Sequence, residues 1–249
     1  MRTAIVIPAR FASTRLPAKP LLRETGKFLV EHVYEQACKS NADHVVVATD
    51  DLRIVEAVRS FGGNVAMTRA DHPSGTDRVA EVARDLDVDV VINLQGDEPL
   101  IDPSTLNLLT ELLANDSTSE IATLAVPIRS KEAYLDPNCV KLVRDRFGRA
   151  LYFSRSPIPY FRDGEPDFSK ESILQHLGLY AYRRTCVLEL AKLPAESLEM
   201  TEKLEQLRWL ATGRSIQVGV IDHAGRGVDT PEDYRRFVEF WNHMHAKAA

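Results

Sequence analysis

Arg10, Arg15 and Lys19 stand close together near the head of the chain, in the run Pro8-Ala9-Arg10-Phe11-Ala12-Ser13-Thr14-Arg15-Leu16-Pro17-Ala18-Lys19-Pro20-Leu21. Small residues stand among them, Ala9, Ala12, Ser13 and Ala18, and allow a ligand to reach the backbone. Each cation can form charge-assisted bonds to phosphate oxygens, so the segment suits a triphosphate or another polyanion. A solvated basic loop has the same composition, and charge and position alone leave the two readings level. The glycine spacing of a dinucleotide fingerprint and of a Walker A loop is missing, which argues against both chemistries.

Two acids far apart in sequence could hold a hard divalent cation. Asp97 lies in Gln95-Gly96-Asp97-Glu98-Pro99, directly after an apolar run, with a glycine that lets the chain turn. Asp229 lies in Gly225-Arg226-Gly227-Val228-Asp229-Thr230-Pro231, at the mouth of a helix. Mg2+ takes few protein carboxylates and completes its octahedron with phosphates and waters, so two aspartates suffice. Each acid alone reads equally as a turn or cap residue. Ser74, Gly75 and Thr76, in Asp71-His72-Pro73-Ser74-Gly75-Thr76-Asp77-Arg78, could read a base edge or simply start a helix. His176 and Tyr180 are an even number apart on an expected strand and so share a face. A lone histidine there is more often structural. Glu205 and Gln206, in a helix expected near 201–211, read by themselves as solvated.

The elements that must position these residues follow from periodicity. Apolar runs at Ala4–Ile7, His44–Thr49 and Val88–Leu94 alternate with helical-period segments at Val30–Cys38, Leu52–Phe61 and Thr76–Leu86. That rhythm predicts βαβ units around a mainly parallel sheet, and runs apolar nearly throughout predict strands covered on both faces. Asp50 is expected to cap the helix at 51–61, and Thr230 the last one, Pro231–His245. Between Val126 and Gly178 the rhythm changes, with Val140–Arg144 and Ala150–Ser154 expected as an antiparallel pair about Phe147-Gly148. A β-rich insertion on one α/β domain is the reading, because no linker marks independent domains.

The chain has 249 residues, with 31 Lys+Arg against 36 Asp+Glu and a formal net charge of −5, which excludes a mainly electrostatic nucleic-acid or membrane-surface binder. Cys38, Cys139 and Cys186 are odd in number and too scattered for a zinc site or a disulfide framework. With no signal peptide or membrane span at the N-terminus, a cytoplasmic location is expected.

The stretches IPARFASTRLPAKPL, VVVATDD, MTRADHPSGTDRVAEV, VINLQGDEPLI, ATLAVPI, ALYFSRSPIPY, LQHLGLYAYR, LEQLR and GVDTPEDY, in this order, closely resemble the CMP-Kdo synthetases, or 3-deoxy-manno-octulosonate cytidylyltransferases. The resemblance covers nearly the whole chain. It implies a Mg2+-dependent enzyme that couples CTP to 3-deoxy-D-manno-octulosonate (Kdo), releasing pyrophosphate and CMP-Kdo for lipopolysaccharide assembly. The implied fold is α/β, a Rossmann-like three-layer α/β/α sandwich of the nucleotide-diphospho-sugar transferase type. It would form a single domain over 1–249, with a smaller β-rich lobe at about 127–182 through which a homodimer forms. By motif position, Arg10, Ser13, Arg15 and Lys19 would embrace the CTP phosphates, with Pro8 and Ala9 beside the nucleoside. Arg69, Ser74 and Gly75 would line the cytosine pocket, and Asp97 and Asp229 would hold Mg2+. Gln95, Arg155, His176, Tyr180, Glu205 and Gln206 would surround the sugar acid. Lys19, Arg10, Asp97 and Asp229 carry the catalytic expectation. Nucleic acid and membrane are not expected partners. Two competing readings are a cytidylyltransferase for another acid, 8-amino-Kdo or sialic acid, and a non-catalytic nucleotide-binding protein.

Overall fold

The computed structural model describes residues 1–12, 15–170 and 173–246. It divides into two compact units, Met1–Asn107 with Gly225–Ala249, and Leu108–Ala224. In the first unit the chain runs β1 (Thr3–Ala9), α1 (Leu29–Cys38), β2 (His44–Thr49), α2 (Leu52–Ser60), β3 (Val65–Met67), α3 (Gly75–Ala83) and β4 (Val90–Asn93). The strands are parallel in the order β3-β2-β1-β4, with Ile5 opposite Val45 on one side and Ile92 on the other. Ala4 to Ile7, Val47, Val90 and Val91 are fully buried, as the unbroken apolar runs require.

Strand order decides where a ligand can bind. The chain steps outward from β1 to β2 to β3, then returns past β1 to β4. Right-handed crossovers therefore place α1 and α2 on one face of this sheet and α3 on the other. The direction reverses between β1 and β4, and a crevice opens beyond the carboxyl ends of strands at such a reversal. The residues there are Ala9-Arg10 and Leu94-Gln95-Gly96-Asp97.

The helix α4 (Pro103–Asn115) carries the chain into the second unit. There follow β5 (Ile121–Pro127), α5 (Lys131–Leu135), β6 (Lys141–Arg144), β7 (Ala150–Ser154), β8 (Leu174–Arg183), α6 (Arg184–Leu190), α7 (Ser197–Glu202), α8 (Gln206–Ala211) and β9 (Ile216–Val220). β5 lies between β8, antiparallel, and β9, parallel. β6 and β7 form the expected antiparallel hairpin, and Gly148 in its turn has φ +83°, which favours glycine. The last helix, α9 (Pro231–Ala246), returns to the first unit and starts on a reciprocal cap. In that cap, Asp233 N donates to Thr230 Oγ1 at 3.2 Å while Thr230 N donates to Asp233 Oδ2 at 2.9 Å.

Two local expectations change. Asp51, not Asp50, caps α2, accepting from Arg53 N at 2.9 Å. Asp50 turns instead toward the buried Arg78, 3.3 Å away. The single helix expected near 201–211 is broken at Lys203, whose φ of 53° is incompatible with a continuing helix, so Glu205 sits at the head of α8.

Candidate active site

β1 ends in the phosphate-loop sequence, and the cleft that opens there has a volume of about 320 Å³. Pro8, Ala9, Arg10, Arg15 and Lys19 line it together with Gly75, Gln95, Gly96 and Asp97. Gly96 is demanded by proximity. It lies in the expected turn, where Glu98 N donates to Gln95 O at 3.3 Å, and a Cβ on it would lie 3.0 Å from the Pro8 carbonyl oxygen, so the close approach to β1 also calls for glycine. Ser13 lies outside the described residues.

Lys19 ties the two distant aspartates together. Its ammonium donates to Asp97 Oδ2 at 2.7 Å, to Val228 O at 2.9 Å and to Asp229 Oδ1 at 3.3 Å, and Arg15 Nη2 adds a contact to Asp229 Oδ1 at 3.1 Å. The Lys19 side chain is 13% exposed, against 28% for Asp97 and 51% for Asp229, so the cluster has a closed back and an open front. Val228 N donates to Asp97 O at 2.8 Å, which locks the Asp229 segment onto the loop after β4. Glu98 completes the acidic group. Burial first, then Asp97 and Asp229, push its carboxyl up to about 7, and Lys19 opposes the rise. The sequence singles out Asp97 and not Glu98, although the place of Glu98 beside Asp97 is an available signal.

Two carboxylates held by one ammonium form a donor set that fits Mg2+, which binds hard oxygens and leaves positions for phosphate and water. Among the described residues no group of three or more His, Cys, Asp or Glu side chains is arranged to hold a metal ion.

Arg10 reaches from the phosphate loop to the loop before α3, donating to His72 O at 2.7 Å and Ser74 O at 3.2 Å. Ser74 caps α3: its Oγ accepts from Asp77 N at 3.2 Å and donates to Asp77 Oδ2 at 2.6 Å. Gly75 presents its Cα to the Pro8 ring. Arg69 is exposed and forks onto Asp71, with Nε at 2.9 Å and Nη2 at 2.5 Å, so its guanidinium faces that acid. Beneath this loop lies Arg78, fully buried, bonded through Nη1 to Thr68 Oγ1. Burial lowers its pKa, Asp50 opposes that, and Arg10 adds to it. The Arg53 guanidinium lies over the Phe11 ring, 3.3 Å from its centre.

Gln95 belongs to the cleft, where its Nε2 donates to Asn93 Oδ1 at 3.1 Å. The other residues expected around a sugar acid lie in the second unit. A bulge in β8 opposite Thr123/Leu124 inserts two residues between Leu177 and Tyr180, so the parity survives and the His176 and Tyr180 rings meet at 5.3 Å. Phe153 packs edge-on to His176, and burial pushes the imidazole down to about 3, so the ring is neutral. Tyr180 packs on Trp209 of α8. Its hydroxyl pKa is raised well above the usual value by burial, then by Tyr182 and Glu205. Tyr180 Oη and Gln206 Nε2 are buried polar atoms with no hydrogen-bond partner among the described residues, as a site awaiting a polyhydroxylated ligand would leave them. Gln206 is 4% exposed, which corrects its reading as a solvated residue. Arg155 is differently employed. Its side chain spans Glu202 O at 2.7 Å, Pro137 O at 3.0 Å and Lys203 O at 3.4 Å, fastening the end of α7. Lys141, fully buried, binds Asp136 O, Cys139 O and Arg155 O at 2.5–2.8 Å, a brace with no signal in the sequence pattern.

An α/β fold with three cations and two convergent carboxylates beyond the sheet reversal defines the nucleotidyltransferase class. Residues 4–216 match the family described as cytidylyltransferase. The 3-deoxy-manno-octulosonate cytidylyltransferase of Geobacter sulfurreducens is 48% identical over 247 residues, 96% of this chain and 99% of that protein. The protein of the same name from Syntrophotalea carbinolica is 49% identical over 242 residues, 95% and 97% of the two chains. A solved structure of CMP:2-keto-3-deoxy-manno-octonic acid synthetase complexed with CTP superposes with a TM-score of 0.92 at 43% identity, covering 98% of this chain and 100% of that one. The chain belongs to the cytidylyltransferase family, in its 3-deoxy-manno-octulosonate branch.

Proposed function

We propose that the chain couples CTP to Kdo, giving CMP-Kdo and pyrophosphate for lipopolysaccharide biosynthesis. The observation that carries this reading is the convergence of Lys19 on Asp97 and Asp229 in the cleft lined by Pro8, Ala9 and Arg10. Full-length likeness to a synthetase solved with CTP supports it.

The reaction is an in-line displacement. The anomeric hydroxyl of Kdo attacks the α-phosphorus of CTP, the new C–O–P link forms, the bond from the α-phosphorus to the bridging oxygen breaks to release pyrophosphate, and the hydroxyl proton passes to solvent. Such a transfer needs alignment and stabilisation of charge on phosphoryl oxygens, with no covalent enzyme intermediate. Arg10, Arg15 and Lys19 supply fixed positive charge to the triphosphate and to the departing pyrophosphate. Pro8, Ala9 and Gly75 present little bulk and admit the nucleoside, while Ser74, held by its cap, offers backbone atoms to the base. Asp97 and Asp229 would hold Mg2+, which when bound neutralises charge on the phosphate oxygens. Lys19 then transfers its hydrogen bonds from the carboxylates to phosphate. Gln95, His176, Tyr180, Glu205 and Gln206 receive the sugar acid, His176 as a neutral ring.

The same reading carries a homodimer through the β-rich segment 127–182, supported by the exposed Phe147 and Leu151 on its hairpin, and a cytoplasmic location. No helix among the described residues is long and apolar enough to cross a membrane. Pyrophosphate release with CTP and Mg2+ tests the function, comparing Kdo, 8-amino-Kdo and sialic acid. Release requiring Kdo is the expected result, release only with another acid replaces the substrate, and CTP binding without release overturns the catalytic reading. Sedimentation at micromolar concentration tests the dimer.

A further inference from the structure

A second cavity, of about 290 Å³, lies in the first unit and shares no lining residue with the nucleotide cleft. Leu100, Phe237 and Phe240 wall it, Gly227 and Val228 contribute backbone, and Arg226 and Arg236 stand at it. Its charges are unevenly engaged. The one acid, Asp233, already accepts from Thr230 N at 2.9 Å and Thr230 Oγ1 at 2.7 Å in the cap of α9. Arg236 has a single contact, Nε to Glu232 Oε1 at 3.3 Å. Arg226 makes no hydrogen bond or ion pair among the described residues. Phe240, 48% exposed, leaves an aromatic face beside these cations.

Shape and charge together select a ligand class. The volume is at the lower end for small-molecule pockets and suits one or two fused rings. A neutral ligand would leave Arg226 without a counter-charge, a cation would add like charge, and Arg236 is already faced by Asp233 and by Glu232, which it shares with Arg235. We propose that this cavity binds a small amphipathic monoanion, an apolar ring body carrying one carboxylate, and that its occupancy alters CTP binding in the neighbouring cleft.

The coupling follows from how tightly the segment at 225–229 is seated. A Cβ on Gly225 would lie 2.9 Å from Leu100 O, and one on Gly227 would lie 3.0 Å from Glu98 Oε1. Val228 N bonds Asp97 O, and Val228 O accepts from Lys19 Nζ. Val228 also packs in the cluster with Leu16 of the phosphate loop and Phe237 of α9, against which Leu100 rests. A ligand touching Leu100 and Gly227–Val228 together therefore presses on both segments that carry the aspartates and on the seat of Lys19. Two sites joined in this way shift each other's affinity by the same factor.

The probe is 2-naphthoate, with the uncharged 2-naphthalenemethanol as its isostere, followed by titration calorimetry on the full chain. Naphthoate should bind one site per chain with a dissociation constant of about 0.1–1 mM, ordinary for a ligand of this size. The alcohol should bind about tenfold more weakly, as should naphthoate to Arg226→Gln and to Phe240→Ser, both surface changes whose folding a thermal scan verifies. Saturating naphthoate should change the CTP dissociation constant about two- to fivefold, a change lost in Arg226→Gln. Equal binding of acid and alcohol, binding indifferent to both substitutions, or strictly competitive displacement of naphthoate by CTP, beyond the two- to fivefold reciprocal shift, would each overturn the site. Naphthoate binding with an unaltered CTP affinity would overturn the coupling. No sugar acid enters the measurement, so failure of the Kdo assay and failure of this site remain separate results.

Discussion

Lys19 has two employments that a single substitution separates. In the resting site its ammonium keeps Asp97 and Asp229 from facing each other unneutralised, with Glu98 close behind them. In the proposed reaction it would serve the phosphates. Lys19→Met is expected to lower kcat/KM for CTP by about 10²–10³-fold, the usual cost of removing a preorganised charge from a transition state. Steady-state pyrophosphate release measures it, and a fall below tenfold would mean that Lys19 serves the resting carboxylates alone. At this scale the sequence was informative about identity and silent about partners. The cations and aspartates were visible as residue types, but the fork of Arg69 onto Asp71 and the hold of Arg155 on three carbonyls were not. The first is a side-chain direction between residues two apart that composition does not set, and the second joins Arg155 to segments that composition does not relate to it.

At the scale of elements, the approach of the β4 loop to β1 leaves no space at Gly96. Because β1 is hydrogen-bonded to strands on both sides, Pro8 cannot retreat from an added methyl group 3.0 Å from its carbonyl oxygen. Gly96→Ala is expected to cost about 1–3 kcal/mol of stability and to raise KM for CTP, since Pro8 and Ala9 line the cleft. Urea unfolding and KM measured on one preparation test both effects, and an unchanged midpoint would refute the steric account. The bulged strand β8 makes a pH-dependent prediction. His176 is held at about 3 where a free imidazole titrates near 6.5, so between those values the unfolded chain binds a proton that the folded chain refuses. Stability from this residue is level above about pH 6.5 and falls as pH drops, by about 1–2 kcal/mol at pH 5. Glu98, raised to about 7, slopes the opposite way, and comparison of two proteins cancels it. Wild type should therefore lose about 1–2 kcal/mol more than His176→Gln between pH 7 and pH 5 in urea unfolding. Equal losses would show that the folded ring accepts a proton.

Across the whole molecule, the chain leaves the first unit at Asn107 and returns at Gly225, bringing Asp229 back to the unit that holds Lys19 and Asp97. The residues proposed above to bind CTP all lie in that unit. CTP alone should therefore protect β1 and its loop, the start of α3 and the segment at 225–229 from amide exchange, leaving 108–224 nearly unchanged until Kdo is added. Hydrogen exchange read by mass spectrometry tests this. Equal protection of both units by CTP would mean that the nucleotide engages the second unit directly.

The sequence by itself determined the parallel βαβ start, the hairpin about Gly148, the cap at Thr230 and the clustering of three cations in Pro8–Leu21. Each of these is written in neighbours a few residues apart, through apolar period, turn residues or clustered charge. It also carried enough ordered motifs to identify the family. Only the tertiary structure decided that one ammonium joins Asp97 to Asp229, that Gly96 is needed for contact, that Asp50 faces a buried arginine, and that Gln206 is enclosed. These depend on strand order and on which distant segments the packed core presses together, and no local pattern records a contact whose two halves lie in different parts of the chain.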